Sequence, residues 1–353
     1  MGVNLTPIMI KKILSLNDLR GRSLAVDANN TLYQFLALIR LPDGTPLQDS
    51  SGNITSHLAG LMFRSTRLIH DYDINLVFAF DGLPPQLKEK EITKRREQRA
   101  KATREWETAL KSGDFVTAFS KAVMTSRLTR PMIEDSKRLL TLLGIPFVEA
   151  PSEAEAQTAH MALRGEVWAA SSKDYDSLLF GAPRLVRYLT ISGKEFLPSK
   201  GITRPLKPEL IDLDKLLSLY QIDREQLIDV ALLVGTDFNE GVKGIGPKTA
   251  LDLVKQYGKL ENLPNETRSK ILAQNIDEVR KIFSEPKVSA DYSLRYGNLR
   301  EDELTHFLCD QRDFSKERVQ TVIVRMKKFY ASKKQTELQK WFRQEPLSCP
   351  ENC

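Results

Sequence analysis

The sequence predicts an α/β fold, a mostly parallel twisted sheet with helices on both faces, followed by a C-terminal helical region that carries a helix-hairpin-helix turn. Short apolar runs closed by a polar residue alternate with helix-period segments, the pattern of a buried parallel sheet. The stretch from Lys88 to Lys111 breaks that rhythm, being dense in Lys, Arg and Glu. From Asp214 onward the chain reads as helices interrupted by a glycine-rich turn.

The first strand is Ser23-Leu24-Ala25-Val26 before Asp27, and the second is Leu76-Val77-Phe78-Ala79-Phe80 before Asp81. Val167 to Ala170 and Leu185 to Tyr188 read the same way. Between them, Ile133 to Leu143 has helical period and stops at Gly144, glycine being the favoured helix end. The Lys88 to Lys111 segment is expected to be helical but mostly exposed. Beyond Tyr330 the composition turns polar, with Ser332-Lys333-Lys334 and later Pro346, Ser348 and Pro350, and a disordered tail is expected. The organisation that follows is an α/β core over 1–213, helices over 214–330 and a tail over 331–353.

The 353 residues suffice for a large core, and 52 Lys and Arg against 46 Asp and Glu permit a polyanionic partner without requiring one. Cys309, Cys349 and Cys353 form neither a CxxC pair nor a disulfide framework, which fits a reducing compartment. No apolar stretch approaches the roughly 18 residues of a membrane span, so no membrane partner is expected. Met1 to Thr6 satisfies the short pattern for acylation of Gly2, but no polybasic patch stands beside it as a second anchoring signal.

In open α/β sheets ligands bind beyond the carboxyl ends of the strands. Asp27 and Asp81 each follow a strand directly, and Asp174 and Asp176 lie a few residues beyond a third. Glu153 and Glu155 open a helix after Pro146-Phe147-Val148, and Asp237 follows the apolar run from Val230 to Val234. Seven acidic groups on one rim repel each other strongly, and hard divalent cations relieve the repulsion. An oxygen-only set without His or Cys suits Mg²⁺, with Mn²⁺ as the alternative, and two such ions support phosphodiester hydrolysis. Each residue also has a plain structural reading. Ser152 to Glu155 makes a capping box, Asp27 or Asp81 could cap a helix, and Asp174-Tyr175-Asp176 could be an ordinary turn.

Gly241-Val242-Lys243-Gly244-Ile245-Gly246-Pro247-Lys248 places glycines where a turn between two helices needs positive φ, with Pro247 starting the second helix. Amides at Gly244 and Gly246, with the charge of Lys248, can grip a DNA phosphate without reading sequence. With this block the chain resembles the flap endonuclease family of 5′ nucleases. The resemblance rests on Val26-Asp27-Ala28, Phe80-Asp81-Gly82, Pro84 to Lys88, Ala150 to Ala156, Asp174-Tyr175-Asp176, Gly235-Thr236-Asp237 and the hairpin, in one order from Met1 to about Tyr330.

The resemblance implies a Mg²⁺-dependent hydrolase that cuts branched double-stranded DNA at the base of a 5′ flap, in Okazaki fragment processing and repair. It implies that Asp27, Asp81, Glu153, Glu155, Asp174, Asp176 and Asp237 serve two metal ions, directly or through water. A K⁺ or other monovalent cation is expected on carbonyls of the hairpin, such as those of Gly241, Val242 and Ile245. The charged segment resembles the family's helical arch, here about 84–131, in which Lys88 and Arg95 would hold the scissile phosphate. Lys88, Arg95 and Arg99 share one helical face, although for that segment taken alone a solvated helix laced with ion pairs is the preferred reading.

Tyr33 matches a residue that stacks on a base near the cut, while Thr55, within Ile54 to His57, together with Arg312 and Arg318, resembles the site of a 3′ flap. Gln335, Leu338, Trp341 and Phe342 fit the peptide that docks on a DNA sliding clamp, the three apolar side chains falling on one side of a helical turn. The protein is expected to be a monomer. The short tail without a long basic run resembles archaeal members, which places it in the cytoplasm near the nucleoid, or in the nucleus of a eukaryote. Three rivals remain: a junction-cutting relative, a DNA-binding scaffold that does not cleave, and a magnesium phosphatase. The first would differ between Gly82 and Ser152, and the last lacks its usual Thr, since Ser177 and Leu178 follow Asp176.

Overall fold

A computed structural model describes residues 2–191, 193–197 and 202–344, without the side chains of 194–197, 202–204 and 336–344. Strand β1 (Lys12–Ile13) stands at one edge of a seven-stranded sheet. Strands β2 (Ser23–Asp27), β3 (Asn75–Phe80), β4 (Phe147–Glu149), β5 (Ala169–Ser171) and β6 (Arg184–Arg187) are parallel neighbours in it, with β4 at the opposite edge. Strands β7 (Gly193–Leu197) and β8 (Ile202–Leu206) make a separate antiparallel hairpin, and β9 (Glu209–Asp212) pairs antiparallel with both β6 and β1. The expected parallel sheet therefore carries one reversed strand, β9, along the β6 side, and β1 beyond it runs in the same direction as β6. The third expected strand starts two residues late, because Val167 and Trp168 form the approach to β5 and the Trp168 ring faces the guanidinium groups of Arg22 and Arg184.

Strand side chains alternate between the two faces. Leu24, Val26, Leu76, Phe78 and Phe80 join one buried cluster, whereas Ala25, Val77 and Ala79 join another on the opposite side. Helices α1 (Ala28–Leu38) and α2 (Ser56–Tyr72) cover the first face. Helices α3 (Glu89–Lys111) and α4 (Phe115–Met124) occupy the segment expected to form the arch and pack on each other. Their buried residues are only alanines, Ala102 and Ala109 on one helix and Ala118 and Ala122 on the other. Helix α5 (Arg130–Leu143) returns to the first face and ends at Gly144 with φ +70°, as expected. Helices α6 (Ala154–Leu163) and α7 (Asp176–Leu179) cover the second face.

The C-terminal helices do not form one layer. Helices α8 (Leu213–Tyr220), α9 (Arg224–Val234), α10 (Pro247–Tyr257), α11 (Asn265–Leu272) and α12 (Ile276–Ser284) share a cluster with α6 and α7. Helices α13 (Glu301–Thr305) and α14 (Lys316–Gln344) pack with α1, α2 and α5. An irregular strap over 285–300 connects the two groups. Gln157 holds the strap at Ser289, Glu166 accepts from Tyr292, Tyr296 bonds both backbone groups of Leu76, and Gly297 donates to the Gly144 carbonyl.

Within the expected tail, residues 331–344 are helical, since α14 continues without a break from Lys316 to Gln344, and residues 345–353 lie outside the described residues. Gln335 is exposed on it, and the side chains of Leu338, Trp341 and Phe342 lie outside the described residues. Among the described residues no helix is long and apolar enough to cross a membrane.

Candidate active site

All seven expected carboxylates come to the carboxyl-terminal rim of the sheet. Asp27 ends β2 and accepts from the Asn30 amide at 2.9 Å, so it caps α1 as well as facing the rim. Asp81 follows β3, and its Oδ1 accepts from the Ala154 amide at 2.8 Å. That bond displaces the expected capping box. Glu153, not Ser152, is the N-cap of α6 and makes no side-chain cap bond, because a carboxylate from the neighbouring strand has taken the role. Both glutamates are thereby left facing the rim.

Glu155 Oε1 accepts from the Ser172 hydroxyl at 2.9 Å, and the same hydroxyl reaches Asp27 at 3.5 Å. Asp174 Oδ2 accepts from Asn30 Nδ2 at 2.7 Å, and Asp176 Oδ1 accepts from the Val3 amide at 3.1 Å. Gly2 packs directly on that carboxylate, where a Cβ would come within 2.5 Å of Asp176 Oδ2. Asp237 emerges from a turn after α9 in which Gly235 holds φ +100° and Thr236 bonds Asn239. Asn30 and Ser172 were not singled out in the sequence. Asn30 lies one helical turn after Asp27, a usable local signal; Ser172 has none.

Crowding shows in the protonation equilibria. Burial, then Asp81, pushes Asp27 well above the carboxylate range. Burial followed by Asp176, Asp27 and Asp174 does the same to Glu155. Asp176 is pushed up to about 8 by burial and by Asp237 and Asp174, and burial also raises Glu153 although Lys88 opposes it. Asp237 moves the other way: burial disfavours its charge, but Arg95 and Lys88 hold it below the usual range.

Lys88 and Arg95 enter this rim as expected, at the start of α3 and two turns along it. The Lys88 ammonium bonds Glu153 and lies 3.6 Å from Asp237 Oδ2, while Arg95 Nη2 donates to Asp237 Oδ1 at 2.6 Å and Nε to Glu91 at 2.8 Å. Burial opposes the Lys88 charge, yet Glu153 and Asp237 hold its pKa above the ordinary value. The carboxylates are less tightly gathered than the sequence suggested. Among the described residues no three acidic, imidazole or thiolate groups converge enough to hold one metal ion between them. An ion that keeps several waters suits that spacing, since water bridges the remaining distance.

Arg99 donates from Nε to the Arg95 carbonyl and, with Arg96 and Arg127, lines a small cavity beside α3. Tyr33 projects from α1 with 38% of its surface exposed. The hairpin joins α9 to α10 as expected. Gly241 and Gly244 have φ of +72° and +89°, Gly246 caps α10, and Lys248 is exposed. Gln274 braces this turn. Its Oε1 accepts from the amides of Glu240 and Gly241 at 3.1 Å each, and its Nε2 donates to the Gly241 carbonyl at 2.9 Å. The Val242 carbonyl already accepts from the Ile245 amide.

The residues expected near a 3′ flap are scattered in character. Thr55 and His57 are buried, and both His57 ring nitrogens lack a partner. Arg312 is bound through Nε and Nη2 to Asp135 at 3.0 and 2.8 Å and lies over the Phe307 ring, whereas Arg318 is exposed.

Two family comparisons match this chain, the XPG N-terminal domain over residues 1–102 and the XPG I-region over 144–237. Together they include all seven rim carboxylates, the second match ending on Asp237. Flap endonuclease 1 of Pyrococcus abyssi is 47% identical over 343 residues, covering 97% of this chain and 98% of its own length. The solved structure of flap endonuclease-1 from Methanococcus jannaschii superimposes with a TM-score of 0.74 at 41% identity, covering 94% of this chain and 100% of that one. The catalytic core of Rad2 bound to a DNA substrate shares the fold, with a TM-score of 0.66 at 24% identity.

Proposed function

The chain belongs to the flap endonuclease family of structure-specific nucleases, and on that premise we propose that it cuts branched DNA at the base of a 5′ flap with divalent cations held on the acidic rim. One observation carries the reading. Seven carboxylates from five segments gather there, with Lys88 and Arg95 as the cationic side chains bonded to them among the described residues, and four of the seven are driven above their ordinary pKa.

Asp27, Asp81, Glu153, Glu155, Asp174, Asp176 and Asp237 would hold two Mg²⁺, or Mn²⁺ in their place. Such ions, when bound, supply an activated water and neutralise the leaving oxygen. The protein's own groups do the remainder. Lys88 and Arg95 present positive charge where the scissile phosphate gathers negative charge, and α3 orients both from one helical face. Tyr33, exposed beside Asp27, offers a ring for a terminal base. The amides of Gly244 and Gly246 with Lys248 hold the duplex backbone, with K⁺ on the hairpin carbonyls as an accessory.

On the 3′ side we assign the DNA contact to Arg318, which is exposed, and a supporting role to Arg312 and Thr55. Gln335, Leu338, Trp341 and Phe342 would dock a sliding clamp, and the protein would act as a monomer, in replication and repair. Replacing Trp341 and Phe342 with Ala should abolish clamp stimulation and leave cleavage of a free flap unchanged.

The test of the central reading is cleavage of a 5′-flap substrate after metal removal. Activity should vanish in chelator and return with Mg²⁺ or Mn²⁺. Undiminished cutting in chelator would sink the metal reading, and binding without cutting in any metal would favour a scaffold.

A further inference from the structure

Arg187 sits on β6 with 5% of its surface exposed, below the loop that carries Asp174 and Asp176. A buried guanidinium is costly unless its donors are satisfied. Four of its five donors are matched here. Nε donates to the Lys173 carbonyl at 2.7 Å, Nη1 to the Tyr175 hydroxyl at 2.7 Å and Glu209 Oε2 at 2.9 Å, and Nη2 to the Tyr188 hydroxyl at 2.9 Å. Its plane also faces the rings of Tyr175 and Tyr188 at 4.1 and 4.6 Å.

Tyr188 adopts φ +60°, a left-handed conformation that costs a non-glycine residue about 1–2 kcal/mol. Such strain persists where surrounding contacts over-determine it. The Tyr175 hydroxyl meets Thr6 Oγ1 at 3.0 Å on its other side, and the Val3 amide holds Asp176.

The partners of Arg187 are informative. Lys173 and Tyr175 bracket Asp174, and Tyr175 directly precedes Asp176. Arg187 therefore grips the loop by one carbonyl and one hydroxyl while touching neither rim carboxylate. We propose that Arg187, acting through Tyr175 and the Lys173 carbonyl, is a positioning residue that sets Asp174 and Asp176 for metal binding. A single ammonium cannot replace the fork, because one compact point charge does not reach four acceptors spread around a planar guanidinium.

The proposal rests on the reading of the rim as a metal site, and the experiment separates the two. Tyr175→Phe removes one hydroxyl and keeps the ring; Arg187→Lys keeps the charge beside Glu209 and loses the fork. For each, Mn²⁺ affinity is measured on the DNA-free protein by the paramagnetic signal of the unbound ion. Amide exchange over residues 173–176 is compared with α9, and single-turnover cleavage is followed against Mg²⁺ concentration. Both variants should bind Mn²⁺ more weakly, on the order of tenfold, and shift the Mg²⁺ dependence by a similar factor. Exchange over 173–176 should quicken while α9 and the melting temperature change little in Tyr175→Phe. Parental Mn²⁺ affinity and Mg²⁺ dependence in Tyr175→Phe would make Arg187 a purely structural residue, whatever the melting temperature. If Asp174→Asn binds Mn²⁺ and cuts like the parent, both readings fall; if it fails to cut while Tyr175→Phe is unaffected, only the role of Arg187 is overturned.

Discussion

The acidic rim and the surroundings of Arg312 both set arginine against carboxylate, yet they end in opposite electrostatic states. At Arg312 one guanidinium meets one carboxylate through two hydrogen bonds, and the local charge is closed. At the rim seven carboxylates share Lys88 and Arg95, and burial plus mutual repulsion raises the pKa of Asp27, Glu153, Glu155 and Asp176. The ratio of opposite charges, more than their proximity, separates a structural ion pair from a site that calls for a further cation.

The largest expected effect falls on the rim. Asp174→Asn or Asp81→Asn should lower single-turnover cleavage by about three orders of magnitude or more, roughly 4 kcal/mol of transition-state stabilisation, while flap binding stays within a few-fold. Cleavage at the parental rate would remove the residue from the site. Lys88→Ala and Arg95→Ala come next. Each should slow the chemical step by about 10- to 1000-fold with little change in the dissociation constant, as for groups that act where charge develops. A weaker complex with an unchanged single-turnover rate would reduce them to backbone contacts.

A pH experiment sharpens the contrast further. The Asp176 carboxyl binds its proton more tightly in the fold than in the unfolded chain, at about 8 against 3.8. Its contribution to stability is thus complete below the unfolded value and is lost as pH climbs through about 8. Protein held in chelator should melt at progressively lower temperature as pH rises from 5 to 9, and Asp176→Asn should flatten that slope. An equally steep slope in the variant would assign the titration elsewhere. The smallest effect belongs to Arg312. Arg312→Ala should cost about 1–3 kcal/mol of stability, the range for a hydrogen-bonded charge, and leave the rate on a flap without a 3′ nucleotide within a few-fold. A collapse of that rate with an unchanged melting temperature would erase the distinction between the two regions.

Much of the rim was legible because Asp27 and Asp81 each end an apolar run, and such positions face the ligand side of a parallel sheet. Lys88 and Arg95 were legible from their helical spacing and from family resemblance together. What escaped was held by distant partners. Ser152 looked like the cap of α6 because the local pattern fits; Asp81, far away in sequence, makes the bond instead. Arg187 is an unremarked residue of a strand until Tyr175, Tyr188 and Glu209 close around it. The strap over 285–300 has no period to read, and its fixing points lie on α6, β3 and the end of α5. The ion pair of Arg312 with Asp135 was also hidden from the sequence, because Asp135 belongs to another helix.

Asp237 gives the rim a further property. It receives both Lys88 and Arg95 from the arch and stands four residues before Gly241 of the hairpin. In the language of ion exchange, the carboxylates are loaded with two tethered organic cations. A divalent ion that takes their place does not wash them away, since both remain on α3 beside the rim, freed to meet a phosphate. On the proposed metal reading, metal and DNA would favour each other's binding, and the coupling must be equal in both directions. The affinity for Mg²⁺ measured with flap DNA bound should exceed that of the DNA-free protein by the same factor by which Mg²⁺ tightens the DNA.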